Sequence, residues 1–215
     1  MNYKVLIGLS VIGSVAFAAA NAATIDIDVT DSGGAPAANA VVSLIADGPN
    51  GVTAPHTPEK SIIDQRHETF LPLVVLIRRG GSVVFTNNDM TMHQVYSFSP
   101  IKQFQFEIDK GQISKPVAFD RAGVAAIGCN IHDNMVAYVY VADAPFASIT
   151  DAHGHAEIHD VPDGQYTASA WHPQLRPGRK PPSSLLKVEA NRVNLSLSIA
   201  LMAAPVMSHM HKSDY

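Results

Sequence analysis

Hydrophobic and polar residues alternate with a period of two along most of this chain, the signature of strands with one buried and one solvated face. Ile25, Ile27 and Val29 alternate with Asp26 and Asp28, and Val193, Leu195, Leu197, Ile199 and Leu201 with Asn194, Ser196 and Ser198. The same reading predicts strands over residues 40–46, 73–77, 82–86, 103–108, 122–129, 136–141 and 166–171. Turn residues separate them at Gly33-Gly34, Pro49-Asn50-Gly51, Gly80-Gly81, Asp109-Lys110-Gly111 and Pro162-Asp163-Gly164. Many short strands joined by tight turns predict an all-β, sandwich-type architecture. No convincing helix follows the first twenty-odd residues, and 120–123 and 133–135 read as loops.

Two shifts in composition divide the chain. Residues 48–60 hold three prolines and two glycines and read as a loop. A second break falls at Ala142-Asp143-Ala144-Pro145, after which Asp151-Ala152-His153-Gly154-His155 opens a new hairpin. The expected organisation is therefore a leader at 1–22, a β segment with its loop at 23–60, one sandwich at 61–142, a smaller one at 143–201 and a flexible tail at 202–215.

The leader follows from Lys4, the apolar run from Val5 to Ala19, and the small-x-small signal Ala20-Asn21-Ala22, which predicts a secretory signal peptide cleaved after Ala22. The run is shorter than the ~20 residues a spanning helix needs, and no later stretch is long enough, so the mature chain is expected to lack a membrane span. Loss of Lys4 leaves 14 basic against 19 acidic residues, a net charge of −5, which argues against a nucleic-acid partner. Export, to the periplasm or another oxidising compartment, gives the single cysteine a particular meaning. It excludes an internal disulfide framework and leaves a thiol that must be buried, paired with another chain or held by a metal.

That cysteine lies in Cys129-Asn130-Ile131-His132-Asp133-Asn134-Met135, where a thiolate, an imidazole and a thioether follow one another at three-residue steps. Two histidines, a cysteine and a weak axial methionine form the donor set of a blue-copper centre. The segment supplies three of the four, and His93, in Asn87-Asn88-Asp89-Met90-Thr91-Met92-His93-Gln94-Val95-Tyr96, is the leading candidate for the missing imidazole. Zinc is the competing metal, but methionine is a poor zinc ligand. A solitary cysteine or histidine is ordinarily a packing residue, and it is the combined spacing that argues otherwise.

In these motifs residues 63–142 resemble the cupredoxins, in particular exported amicyanin-like and plastocyanin-like proteins often labelled methylamine utilisation proteins. The likeness rests on Phe85-Thr86-Asn87-Asn88-Asp89, on His93-Gln94-Val95-Tyr96-Ser97-Phe98-Ser99, and on Cys129 through Met135 followed by Ala137-Tyr138. It implies a Greek-key β-sandwich holding one type 1 copper, with His93 and His132 as imidazole ligands, Cys129 as thiolate and Met135 as the long axial donor. The resemblance places His93 on the loop leaving the strand of 82–86. It implies Asn88, Gln94 and Asn130 as polar neighbours that orient the ligands, and Met90, Met92 and Ile131 as an apolar collar. Gln94 stands where asparagine or a second histidine is common.

Residues 146–200, through Ile149-Thr150-Asp151, Val161-Pro162-Asp163-Gly164-Gln165-Tyr166 and Ala170-Trp171-His172-Pro173, resemble the carboxypeptidase regulatory-like, transthyretin-like sandwich, a module without catalytic residues. Residues 24–46 vaguely resemble the same type and are expected to pack against it. His67, His153, His155 and His159 read as surface residues, and His172 as part of the module's core edge.

The tail interleaves Met207, His209, Met210 and His211, which are candidate accessory copper donors on a terminus that is more often without a role. The expected function is that of an exported electron carrier, not an enzyme, passing single electrons to or from a cytochrome or dehydrogenase. The alternatives are a copper storage or delivery protein, and a structural or carbohydrate-binding sandwich.

Overall fold

The computed structural model describes residues 22–48, 59–176 and 178–202. The predicted leader, Ala22 apart, and the tail beyond Met202, including Met207, His209, Met210 and His211, lie outside the described residues.

Among the described residues the chain forms strands and no helix. In order these are β1 (Ala22–Asp31), β2 (Val41–Ala46), β3 (Lys60–Arg66), β4 (Thr69–Leu71), β5 (Val74–Arg78), β6 (Ser82–Asn87), β7 (His93–Ser99) and β8 (Lys102–Ile108). They continue as β9 (Val117–Ala118), β10 (Gly123–Cys129), β11 (Val136–Ala142), β12 (Phe146–Ile149), β13 (His155–Pro162), β14 (Gly164–Trp171), β15 (Ser183–Val188) and β16 (Arg192–Ile199). Strands expected from alternation recur within a residue or two of their predicted bounds. One placement changes: His93 is the first residue of β7 and not part of a loop, so its backbone is held by the ladder that pairs it with Ile108.

Two sandwiches result. In the first, the sheet β13-β1-β16 faces the sheet β12-β2-β14-β15, and the apolar positions of β1 (Ala23, Ile25, Ile27 and Val29) pack with Val42, Leu44, Tyr166, Ala168, Leu197 and Ile199. β1 is central to its sheet. It runs antiparallel to β13 and parallel to β16, from Thr24 opposite Arg192 to Asp31 opposite Ile199. β2 likewise lies between β12 and β14. The N-terminal segment therefore contributes two interior strands to the C-terminal sandwich.

The second sandwich, β4-β3-β6-β9 against β5-β11-β10-β7-β8, is inserted between β2 and β12. Its core is Ile63, Phe70, Ile77, Val83, Phe85, Val95, Phe119, Ile127 and Val139, continuing into Cys129 and Met135 at one end. We refer to the two as the outer and inner sandwich.

The chain returns to the outer sandwich through Asp143–Ala144. There Arg78 donates a side-chain hydrogen bond to the Ala144 carbonyl at 2.7 Å, and Arg79 pairs with Asp143 at 3.3 Å. Trp171 of β14 then meets Tyr138 and Tyr140 of β11, with ring centroids 5.8 and 5.4 Å apart. Tyr138 and Tyr140 sit on the face of β11 opposite the buried Ala137, Val139 and Val141. The inner sandwich thus packs inward with one face of this strand and touches its host with the other.

Candidate metal centre

The register of β7 and β10 builds the centre. The antiparallel pair sets Cys129 opposite Val95 and Gly128 opposite Tyr96, and the Asn130 amide then donates to the Gln94 carbonyl at 3.0 Å. Strand alternation turns Ala125, Ile127 and Cys129 of one strand and His93, Val95 and Ser97 of the other into the core. Residues 36 positions apart consequently meet: His93 Nδ1 lies 3.6 Å from Cys129 Sγ. Gly128 is required beside them, because a Cβ there would fall 2.6 Å from Cζ of Tyr96, whose ring lies over it.

Beyond Cys129 the chain turns tightly, the Met135 amide donating to the His132 carbonyl at 3.1 Å. This turn brings the His132 ring to a centroid distance of 5.1 Å from His93. One donor atom from each of His93, Cys129 and His132 lies within 4.8 Å of the others. His93 is wholly buried, Cys129 and Met135 nearly so, while the His132 side chain keeps 23% of its surface. Cys129 forms no disulfide.

The donor set fits a copper ion. His132 Nδ1 is a buried polar atom with no hydrogen-bond partner, an arrangement that costs free energy unless something accepts its lone pair. A buried thiol and the inward Nδ1 of His93 stand beside it, with Met135 in the same apolar cluster as Cys129. Soft thiolate and thioether donors with two imidazoles suit copper better than zinc.

A carboxylate stands behind each ring, hydrogen-bonded to His93 and in looser contact with His132. Asp89 Oδ2 lies 2.9 Å from His93 Nε2, so a proton on Nε2 leaves Nδ1 as the free donor. Asp89 also accepts the backbone N–H groups of His67 and, at 3.0 Å, Glu68. Burial pushes the Asp89 carboxyl up, but hydrogen bonds from the Glu68 amide, the His93 ring and the His67 amide outweigh it and hold the group below the usual carboxylate range. Glu68 Oε1 lies 3.5 Å from His132 Nε2.

Asn87, fully buried, fixes the loop leading to His93. Its Nδ2 donates to the Thr91 and Ile108 carbonyls, each at 2.9 Å, and its Oδ1 accepts the Asp89 amide at 2.9 Å.

Of the polar neighbours implied by resemblance, Asn130 donates through Nδ2 to Gln94 Oε1 at 2.7 Å, tying the two ligand-bearing segments together. Asn88 is turned outward and donates to Asp64 Oδ1 at 2.6 Å. Met90, Met92 and Ile131 are exposed. Sequence alone does not single out Asp89, Asn87 or Glu68, although Asn87 and Asp89 lie in the segment that leads to His93.

Among the described residues, His67 sits on the turn bonded to Asp89, whereas His172 and His155 lie apart from this centre. His172 is buried, donating from Nε2 to the Ala38 carbonyl at 2.9 Å and accepting the Gln174 amide at 3.0 Å. His155 places Nδ1 3.2 Å from Asp28 Oδ1. His155, Asp26 and Glu157 lie close together on the outer sandwich, but the guanidinium of Arg192 engages both carboxylates.

No protein-family profile matches the chain, and no curated protein does. Among solved structures, a purple cupredoxin from Nitrosopumilus maritimus is 23% identical, covering 38% of this chain and 99% of its own, with a TM-score of 0.34. Amicyanin from Paracoccus versutus is 20% identical over 46% of this chain and 98% of its own, at 0.35. A copper-containing nitrite reductase from Thermus scotoductus is 19% identical over 46% of this chain but only 25% of its own, at 0.36. The carboxypeptidase regulatory-like resemblance of residues 146–200 gains no support from these likenesses. The chain is all-β, and its neighbours among solved structures are cupredoxins.

Proposed function

We propose that this protein is an exported type 1 copper protein that carries single electrons between redox partners and catalyses no reaction of its own. The observation that supports this most directly is the convergence of His93 Nδ1, Cys129 Sγ and the unpartnered His132 Nδ1 at the end of a rigid sandwich, with Met135 buried alongside.

His93, Cys129 and His132 would hold the ion, with Met135 as the weak fourth donor. Bound copper supplies a one-electron couple between its two common oxidation states. The protein's own task is to keep the donors still. Two of them sit on paired strands, Asn87 pins the loop before His93, and the Gln94–Asn130 bond joins the segments, so little can rearrange as charge changes. The buried thiol and thioether keep water out. The exposed edge of His132, with Met90, Met92 and Ile131, is the route by which a partner's electron enters. A cytochrome or dehydrogenase is the proposed class of partner, and the periplasm or a similar exported compartment the proposed location.

The test is the visible spectrum of the full chain after copper reconstitution and oxidation. An intense thiolate-to-copper charge-transfer band that disappears in Cys129→Ala is the expected result. A colourless copper-loaded protein overturns the electron-carrier reading and leaves storage or delivery in its place.

A further inference from the structure

We infer that Glu68, on the turn between β3 and β4, is a positioning residue for His132; the inference rests on the reading of His93, Cys129, His132 and Met135 as one centre. Arg66 pairs with Thr69, so His67-Glu68 is a two-residue hairpin turn. Both residues have φ of 53°, as a type I′ turn demands, and such turns ordinarily recruit Asn-Gly. For side chains bearing a Cβ, that conformation is strained.

The turn is held in this costly form by Asp89, whose carboxylate accepts both of its N–H groups while its Oδ2 also meets His93 Nε2. A residue tied to the first histidine thus fixes the backbone from which Glu68 extends. The Glu68 carboxylate arrives 3.5 Å from Nε2 of the second histidine.

The His132 ring has two nitrogens with opposite surroundings. Nδ1 is buried and without a partner. Nε2 is on the open side, facing the carboxylate. A proton kept on Nε2 by Glu68 leaves the Nδ1 lone pair directed inward, and the contact restrains rotation of a ring that is otherwise the least buried of the four ligands. Asp89 therefore serves both imidazoles, His93 directly and His132 by fixing the turn that carries Glu68.

The side-chain role separates cleanly from the backbone role, because the bond from Glu68 to Asp89 comes from the amide. Glu68→Ala removes only the carboxylate, and Glu68→Gln keeps an acceptor oxygen at the same reach. In the metal-free full chain, solvent exchange of the His132 Nε2 proton, followed by NMR at pH 8, should be about threefold faster in Glu68→Ala than in the wild type, as expected for loss of one weak, solvent-facing hydrogen-bond acceptor. Glu68→Gln should restore the wild-type rate. After loading, copper release should accelerate by a similar factor in the alanine variant only.

Equal exchange in Glu68→Ala and wild type overturns the assignment. So does a glutamine variant that exchanges at the alanine rate, and this variant decides alone if alanine disturbs the hairpin. The exchange measurement needs no metal, so failure of the copper reading would show in the loaded spectrum and not here.

Discussion

Asn130 donates through its side chain to Gln94 Oε1 at 2.7 Å and through its backbone to the Gln94 carbonyl, so one residue pair fastens the segment bearing Cys129 to the strand bearing His93. The backbone bond survives side-chain truncation. A double-mutant cycle with Gln94→Ala and Asn130→Ala, read by thermal unfolding of the metal-free protein, should give a coupling of about 0.5–1 kcal/mol. A coupling indistinguishable from zero would mean that the side chains do not cooperate.

Asn87 carries a heavier load. Its buried amide satisfies the carbonyls of Thr91 and Ile108 and the N–H of Asp89, the Ile108 bond lying wholly inside. Asn87→Ala should cost about 1–3 kcal/mol, because the buried Ile108 carbonyl loses its partner. Denaturant unfolding would reveal it, and Asn88→Ala, at the outward-facing neighbour, is the control expected to cost well under half as much.

Met135 separates packing from chemistry. Leucine has nearly its volume, and such core exchanges usually cost less than about 1.5 kcal/mol. Met135→Leu should therefore leave metal-free stability almost unchanged while altering the reduction potential and the visible spectrum of the copper-loaded protein. Identical electrochemistry in the two proteins would remove Met135 from the centre.

Trp171 joins the sandwiches through Tyr138 and Tyr140. Aromatic pairs of this kind add about 0.5–1.5 kcal/mol beyond area burial. Trp171→Ala should split calorimetric unfolding into two resolved transitions, whereas Trp171→Phe should keep them closer together. A single sharp transition in the alanine variant would show that the other junction contacts suffice.

His172 sets a pH dependence for the outer sandwich. Burial lowers its pKa, and the hydrogen bond to the Ala38 carbonyl only partly opposes this. The unfolded chain then binds the proton more readily than the folded one, so stability should be fully present above about pH 6.5 and decline as pH falls below it. His155 shifts the other way, chiefly through its hydrogen bond to Asp28 and against burial. Its side chain is part-exposed and its partner Asp28 mostly so, and physiological salt should screen the pair. Unfolding of wild type and His172→Gln between pH 7.5 and 5 should converge as the pH falls; parallel curves would refute the assignment.

The sequence made some of this architecture legible for physical reasons. Two-residue alternation marks a strand wherever one face is wet, and β1, β10, β11, β14 and β16 show it. β3 and β4 were not anticipated: Lys60–Arg66 mixes exposed Ile62 with buried Gln65, so its pattern is blurred. Alternation also names no partner. Nothing in Ile25-Asp26-Ile27 says that its neighbours lie at Ala156 and Leu195, so the packing of residues 24–46 against the C-terminal module could be expected from resemblance, but not that β1 and β2 are interior strands of its sheets.

At the centre, three donors in seven residues were visible because one short turn holds them. The partners that hold the rings were not. Asp89 and Glu68 are acidic residues in irregular segments, indistinguishable by composition from solvated ones, and only the positive φ turn and the β7–β10 register give them their roles.

The insertion also allows the two units to be completed in sequence. Every proposed ligand lies between positions 93 and 135, inside a unit whose strands pair only with one another. The host sheet needs β1 and β16 side by side, the first and last strands described. During synthesis the inner unit emerges whole while its host still awaits its closing strand, and long-range closure of that kind is intrinsically slow. The metal cradle can be finished before the scaffold that bears it.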